Sequence, residues 1–484
     1  MDFFFEFVSF CPFFIEISIL LFLILQILYF TFLTSNLFFG HVYYTKSNFF
    51  VAIYISILLL NIFFFIDPFY QSFLADFNID TYAIIIKGMV LLFCFIVIMV
   101  SNRYLIKHNI CQYELSVLIL FSILALCLLS CGNDALSIFV AFEFQGLSFY
   151  ILSTFYWSSN YSVETGLKYF ILGSFTSCLF LLGFSIVYCL IGSMRFEFIF
   201  LLSSEQYSVS LIFLSIVFCL TALLFKVGAS PFHFWLPDIY EGSILPVTFF
   251  FAIVPKFVIF YLLLKILILF VAFEYNFSSL LCLFSGFISV LVGAIASIFQ
   301  KKIKRLFAYS TISHTGFILL GTFGLSSLGF KSIFFYLLIY ILMNISIFSI
   351  LLGNKHAILK YIINWSYFFS RNIALSIVFS FILLSMAGIP PLAGFFSKLL
   401  IIISVIQQGY VIFSFFLVIF TCVGCYYYIR LLKIFYFGTN ISGVWINLES
   451  RFLEISIVIF TTIVIILFLF TDIIVLFSIF FGFI

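Results

Sequence analysis

The stretch Leu224-Phe-Lys-Val-Gly-Ala-Ser-Pro-Phe-His-Phe-Trp-Leu-Pro-Asp-Ile-Tyr-Glu-Gly242 decides how the chain is read. It closes a hydrophobic run that begins near Val209, so Lys226 is expected inside a membrane-spanning helix. Pro231 then breaks that helix, and His233, Trp235, Asp238 and Glu241 follow where a plain anchor carries only apolar side chains. A lysine in hydrocarbon costs roughly 3 kcal/mol on insertion scales. A proline strands a backbone carbonyl, which needs a protein or water donor at that depth. Both costs at one place point to a protein-lined cavity open to water.

The rest of the chain fits a membrane setting. Of 484 residues, 65% are hydrophobic and only 8% charged, and the mean hydropathy is +1.35. This excludes a soluble globular domain and defines an all-α polytopic membrane protein in contact with lipids. The net charge of +3 implies no nucleic-acid partner. The start, Met1-Asp-Phe-Phe-Phe-Glu6, has neither the basic region of a signal peptide nor an arginine-rich transit pattern, so insertion where the chain is made is expected. Abundant Phe (78) and Tyr (27) with scarce Pro (8) fit A+T-rich coding, as in many organelle genomes, or simply lipid-facing bulk. Among eleven cysteines, Cys422-Val-Gly-Cys425 is a close pair without the further ligands of a metal or iron–sulfur site, and reads as small core residues.

Apolar runs of about 20 residues mark spans near 13–33, 49–66, 81–101, 113–131, 134–156, 164–191, 209–241, 246–271, 277–299, 303–325, 330–352, 373–408, 410–436 and 452–481. Spans seven and twelve are broken. Numbering the connections tests this count of about 14 transmembrane helices. The odd ones carry 13 basic residues and the even ones only Arg195 and Lys331, and one missed helix would scramble that split. Both termini are then expected outside, with the odd connections on the inner face.

Six lysines remain within spans: Lys87, Lys168, Lys226, Lys256, Lys265 and Lys398. Lys87 and Lys265 lie within about two turns of a span end, close enough to snorkel. The others lie deeper or beside a proline break. Span twelve repeats the pattern of span seven, with Met386-Ala-Gly-Ile-Pro-Pro-Leu-Ala-Gly-Phe-Phe-Ser-Lys398. Breaks at corresponding places in two halves point to a transport site, and an offset of five spans gives the halves inverted topology.

Glu143 falls mid-span in Ala141-Phe-Glu-Phe-Gln145. It is either a protonated structural donor or a carboxylate paired with a lysine. Burial favours a neutral amine and a neighbouring carboxylate favours the ammonium, so such a pair acts as a protonation switch. Lys168 lies four residues after Glu164, which also fits a helix-end salt bridge. Lys256 directly follows Pro255, too deep to snorkel. His314, among Ser313 and Thr315, is either a relay or a structural histidine. No dinucleotide-binding glycine pattern, P-loop or His–Cys array is present.

Together these residues resemble the antiporter-like membrane subunits of proton-pumping NADH:quinone oxidoreductase, respiratory complex I. The resemblance rests on Glu164-Thr-Gly-Leu-Lys-Tyr169, the opening stretch, Lys304-Arg-Leu-Phe-Ala-Tyr-Ser-Thr-Ile-Ser-His-Thr-Gly316 and Ala387-Gly-Ile-Pro-Pro-Leu-Ala-Gly394, and covers roughly residues 110–400. It implies two inverted five-helix repeats, at 113–271 and 277–436, after an N-terminal three-helix segment (1–112) and before a C-terminal helix (437–484). It also implies a proton path through Glu143, Lys226, Lys168, Lys256 and Lys398, with His314 beside it. By the same resemblance the chain binds no cofactor itself, while the complex uses NADH, FMN, iron–sulfur clusters and ubiquinone. The implied partners are the other membrane-arm subunits, including sister antiporter-like subunits. Ile244 and Ser148 stand where relatives often carry proline, and Phe144-Gln-Gly-Leu-Ser-Phe-Tyr150 is closer to mitochondrial versions. The expected location is therefore the mitochondrial inner membrane, with termini facing the intermembrane space. A multisubunit cation/proton antiporter and a purely structural assembly subunit are the alternatives.

Overall fold

The computed structural model describes residues 13–34, 48, 50–60, 77–78, 80–108, 110, 113–202, 209–271, 277–323, 326–353, 360–366 and 373–437. Among them the chain is helical, with only isolated β-bridges between connections. The helices are α1 (Phe14–Thr34), α2 (Phe50–Leu60), α3 (Thr81–Lys107), α4 (Glu114–Cys131), α5 (Ala135–Ser153), α6 (Asn160–Ile191), α7 (Phe196–Leu202) and α8 (Val209–Val227). They continue as α9 (Trp235–Gly242), α10 (Leu245–Val271), α11 (Phe277–Ile298), α12 (Ile303–Gly321), α13 (Ser327–Gly353), α14 (Ile373–Ala387), α15 (Ala393–Gln407) and α16 (Val411–Phe437). Among the described residues ten helices are long and apolar enough to cross a membrane. Helices fall on every expected span from 13–33 to 410–436. The last expected span, 452–481, lies outside the described residues.

The chain divides into two units, Met1–Leu223 with Gly242–Tyr275, and Leu224–Glu241 with Asn276–Ile484. In the first, α3 packs on α10 and α4, α4 on α1 and α5, and α5 on α6. Without a hydrophobic drive between helices in lipid, close approach depends on small residues. A Cβ on Gly173 of α6 would lie 2.1 Å from the Tyr150 hydroxyl of α5, so glycine there lets the two helices meet. In the second unit α12 packs along α11, where a Cβ on Gly316 would fall 2.7 Å from the Gly286 carbonyl.

The connections sort as the charge pattern requires. Within the first unit the even ones meet each other: Asn78 donates to the Cys131 carbonyl (2.9 Å), Ala135 to Met194 (3.1 Å) and Phe196 to Asn133 (3.0 Å). Within the second unit odd ones meet: Ile362 donates to the Lys301 carbonyl (3.0 Å), and Arg430 reaches the Ile298 carbonyl (2.6 Å).

Both expected breaks occur, and they share one backbone design. α8 ends at Gly228 (φ +80) and α14 at Gly388 (φ +82), each three residues before a cis-proline, Pro231 and Pro391. At the first, Gly228 and Ala229 donate to the Leu224 carbonyl at 3.0 and 2.9 Å. At the second, Gly388 and Ile389 donate to Leu384 at 3.1 and 3.2 Å. Left-handed glycine after the last turn satisfies carbonyls that a broken helix would otherwise leave bare in hydrocarbon. After the first break, the segment carrying Asp238 and Glu241 is the two-turn helix α9. Pro237 sits in its first turn, where no intrahelical N–H is required. Trp235, Leu236, Ile239 and Tyr240 form its buried side, leaving Asp238 and Glu241 on the other.

Candidate functional site

Three of the lysines singled out in the sequence are buried, Lys226 and Lys398 beside helix breaks and Lys256 after a proline inside a continuous helix. Lys226, 9% exposed, lies in the last turn of α8, two residues before Gly228. Its break is closed by Trp235, whose Nε1–H donates to the Phe225 carbonyl at 2.9 Å. Lys256, 3% exposed, follows Pro255 inside α10. Pro255 has no N–H to donate to the carbonyl one turn earlier. Lys398, 8% exposed, reaches back from α15 to the end of α14, donating to the Met386 and Ala387 carbonyls at 2.8 Å each. A cation fits there because unpaired C-terminal carbonyls carry the negative end of the helix dipole. The Phe317 ring lies 5.7 Å from the same ammonium.

His314 lies on α12, only 2% exposed, between two phenols. Its Nδ1 is 2.7 Å from the Tyr336 hydroxyl of α13, and its Nε2 is 3.2 Å from the Tyr428 hydroxyl of α16. A phenol both donates and accepts, so either neutral tautomer is satisfied, and exchanging tautomers moves a proton across the ring. The Tyr428 hydroxyl also lies 3.5 Å from Met386 Sδ, next to the carbonyls that hold Lys398. His314 and Lys398 thus belong to one polar cluster of the second unit.

Two other expected residues sit differently. Lys168 is 47% exposed and bonded to Glu164 at 2.8 Å, the helix-surface pair that its spacing anticipated. Glu143 is half-buried on α5, next to the exposed Val140 and Leu147 one turn away on either side. Cys422 and Cys425 are free, and the Cys425 thiol donates to the Ala387 carbonyl at 3.2 Å.

The expectation that Lys87 snorkels does not hold. Its ammonium is sealed from solvent, 2.5 Å from Glu16 Oε1 on α1. Distance to a span end had suggested access, but α1 and the Phe13 ring cover that end. Lys265 also turns inward, donating to the Gly132 carbonyl at 2.6 Å.

At the mouth of the first break, α9 is tied to the start of α12. Arg305 Nη2 donates to Asp238 Oδ1 at 3.1 Å, Arg305 Nε pairs with Glu241, and Lys302 pairs with the same carboxylate. All four residues belong to the inner connections of the charge pattern. The short helix is therefore held by ions at its polar edge and by Trp235 at its apolar one.

An all-helical membrane fold with two like-built helix breaks and buried lysines beside them defines a class of ion-handling membrane subunit. Comparison with known proteins makes the class specific. Residues 132–424 match the family model described as NADH:quinone oxidoreductase/Mrp antiporter, TM. NADH-quinone oxidoreductase subunit N of Pelagibacter ubique (strain HTCC1062) is 38% identical over 390 residues, covering 79% of this chain and 82% of that one. NADH-ubiquinone oxidoreductase chain 2 of Marchantia polymorpha is 35% identical over 378 residues, covering 76% of each. A chain of respiratory complex I from Thermus thermophilus has the same fold, with a TM-score of 0.77 and 24% identity over 95% of this chain and 98% of that one. The chain belongs to the family of antiporter-like membrane subunits of NADH:quinone oxidoreductase.

Proposed function

We propose that this chain carries protons across the membrane as one subunit of a proton-pumping NADH:quinone oxidoreductase, in the place held by subunit N or chain 2. The observation that carries the reading is the burial of Lys226 and Lys398 beside two helix breaks and of Lys256 next to a proline within its helix. A lysine in hydrocarbon is retained against its insertion cost where it serves an ion path. NADH oxidation and quinone reduction belong to other subunits, which hold the FMN, iron–sulfur clusters and ubiquinone. Its neighbours are then the other membrane-arm subunits; the similarity to NADH-ubiquinone oxidoreductase chain 2 of Marchantia polymorpha supports the mitochondrial inner membrane, and the loop-charge pattern puts the termini on the intermembrane-space side.

In this reading Glu143 is the switchable partner of Lys226. While the carboxylate stands close, Lys226 keeps its proton; when it withdraws, burial expels the proton towards Lys256. The proposed order is Lys226, Lys256, Lys398; within the second unit, tautomer exchange of His314 between Tyr336 and Tyr428 serves Lys398. The carbonyls of Met386 and Ala387 hold the charged form of Lys398 until it discharges. Lys168, bonded to Glu164 on a helix surface, modulates the first step from outside the buried set.

The test has two parts. The chain should copurify with an assembly that oxidises NADH and contains iron–sulfur clusters. Lys226→Ala and Glu143→Ala should each sharply reduce proton pumping while leaving assembly intact. Unchanged pumping in both variants would overturn the reading.

A further inference from the structure

Outside this axis the first unit holds a second, graded cluster of charge. Its innermost member is the sealed pair of Lys87 and Glu16, 2.5 Å apart, bridging α3 to α1. Among the described residues no donor reaches Glu16 Oε2. The titratable neighbours from α4 are the thiols of Cys131 and, behind it, Cys127. The residue after Cys131, Gly132, gives its carbonyl to Lys265 of α10. Lys265 lies in electrostatic range of Asp80 and Glu197, which are exposed. Except for Glu16, at the start of the first span, these groups sit at the ends joined by even-numbered connections, which the charge pattern assigns to the same outer face as that start. The cluster therefore runs from a closed ion pair to open carboxylates at one surface.

A buried ion pair is poor glue. Desolvation offsets its attraction unless every lone pair is bonded, and well-packed apolar side chains of the same volume hold helices as well or better. An idle carboxylate oxygen beside an ammonium has another use. When the proton moves from Lys87 to Glu16, –NH3+ and –COO− become –NH2 and –COOH, and no net charge changes in the low dielectric. The pair stores a proton in two places and can receive another on the freed amine. Its helices adjoin the one that carries Lys256: Lys256 and Lys265 share α10, and Phe93 of α3 packs edge-on against Phe257 of α10 at 5.8 Å.

We propose that Glu16 and Lys87 form a proton-exchange station on the outer side, from which protons pass by way of Lys265 to Asp80 and Glu197 and so to water. The proposal rests on the reading of the chain as a proton-translocating subunit. It adds an exit within the first unit, whose Glu16, Asp80 and Lys87 precede the residues matched by the family model.

The experiment uses the whole complex in proteoliposomes, with proton uptake or release measured per NADH oxidised. The double variant Glu16→Gln/Lys87→Gln removes both charges together and leaves no single buried ion. It should assemble, oxidise NADH near the normal rate and pump at least fivefold fewer protons per electron. Normal pumping in it would make the pair a mere helix fastening and overturn the proposal. Should it fail to assemble, Asp80→Asn/Glu197→Gln tests the same path on exposed side chains. That variant should lower pumping two- to fivefold and flatten its dependence on outer pH, and unchanged pumping there equally overturns the proposal. Lys226→Ala separates the two levels. If Lys226→Ala abolishes pumping while the cluster variants pump normally, the exit fails and the axis stands; if Lys226→Ala also pumps normally, the reading beneath it fails.

Discussion

Replacing Gly388 with alanine perturbs Lys398 without touching its charge. Gly388 has φ +82, and an alanine held there costs about 1–2 kcal/mol from the clash of Cβ with the backbone. The added methyl would also lie 2.9 Å from Lys398 Cδ and 3.1 Å from its Nζ. The lysine must swing away, and its two 2.8 Å bonds to Met386 and Ala387 stretch or break. A hydrogen bond made by a charged group contributes about 1.5–3 kcal/mol, so losing one depopulates the docked ammonium by on the order of tenfold or more. Gly409 supplies the matched control. It has φ +84, but a Cβ there meets nothing within 4 Å. Both variants should lose similar stability in a thermal assay of the purified complex. Only Gly388→Ala should lower proton pumping per NADH oxidised, by at least several fold, in a fluorescence-quench assay on sealed vesicles. Equal pumping in the two variants would refute the role given to the lysine's carbonyl seat.

Other consequences concern the remaining contacts. Tyr336→Phe and Tyr428→Phe each strip one partner from His314, costing about 1–3 kcal/mol for the unpaired buried nitrogen; both should slow pumping several fold, with the kinetic effect of deuterated solvent altered. Trp235→Phe deletes the bond to the Phe225 carbonyl and should lower the melting temperature by the equivalent of about 1 kcal/mol, read by calorimetry. Arg305→Met removes the Arg305 pairs with Asp238 and Glu241 and leaves Lys302 on Glu241; because these groups are partly exposed, the loss should be about 1 kcal/mol or less, and raising salt should shrink the difference from the parent in a melting assay. Lys168→Met removes an exposed pair worth at most about 1 kcal/mol, so pumping should fall less than in any variant of the buried lysines.

The sequence revealed the spans because hydrocarbon demands about 20 apolar residues in a row, and no other setting tolerates so many. It revealed both breaks because Gly-x-x-Pro at 228–231 and 388–391 cannot continue a helix. Lys226, Lys256 and Lys398 were legible from their cost, and Lys168 with Glu164 from i,i+4 spacing. The seat of Lys398 was not legible: its carbonyl partners depend on the path taken after Gly388. Nor was the clamp on His314, since tyrosines at 336 and 428 are two among 27 and come from other helices. Lys87 was misjudged for a physical reason. Nearness to a span end implies access only when no other helix covers that end, and α1 covers this one. The missing signal was Glu16, a carboxylate just inside the first span, at the same membrane face by connection parity.

The central claim is that buried lysines carry the proton. It is tested most directly by the proton-to-electron ratio of the reconstituted complex bearing Lys256→Met, an apolar side chain of similar length at the most deeply buried axis position. The account expects NADH oxidation to continue while the ratio falls clearly below that of the parent complex. An unchanged ratio would contradict it.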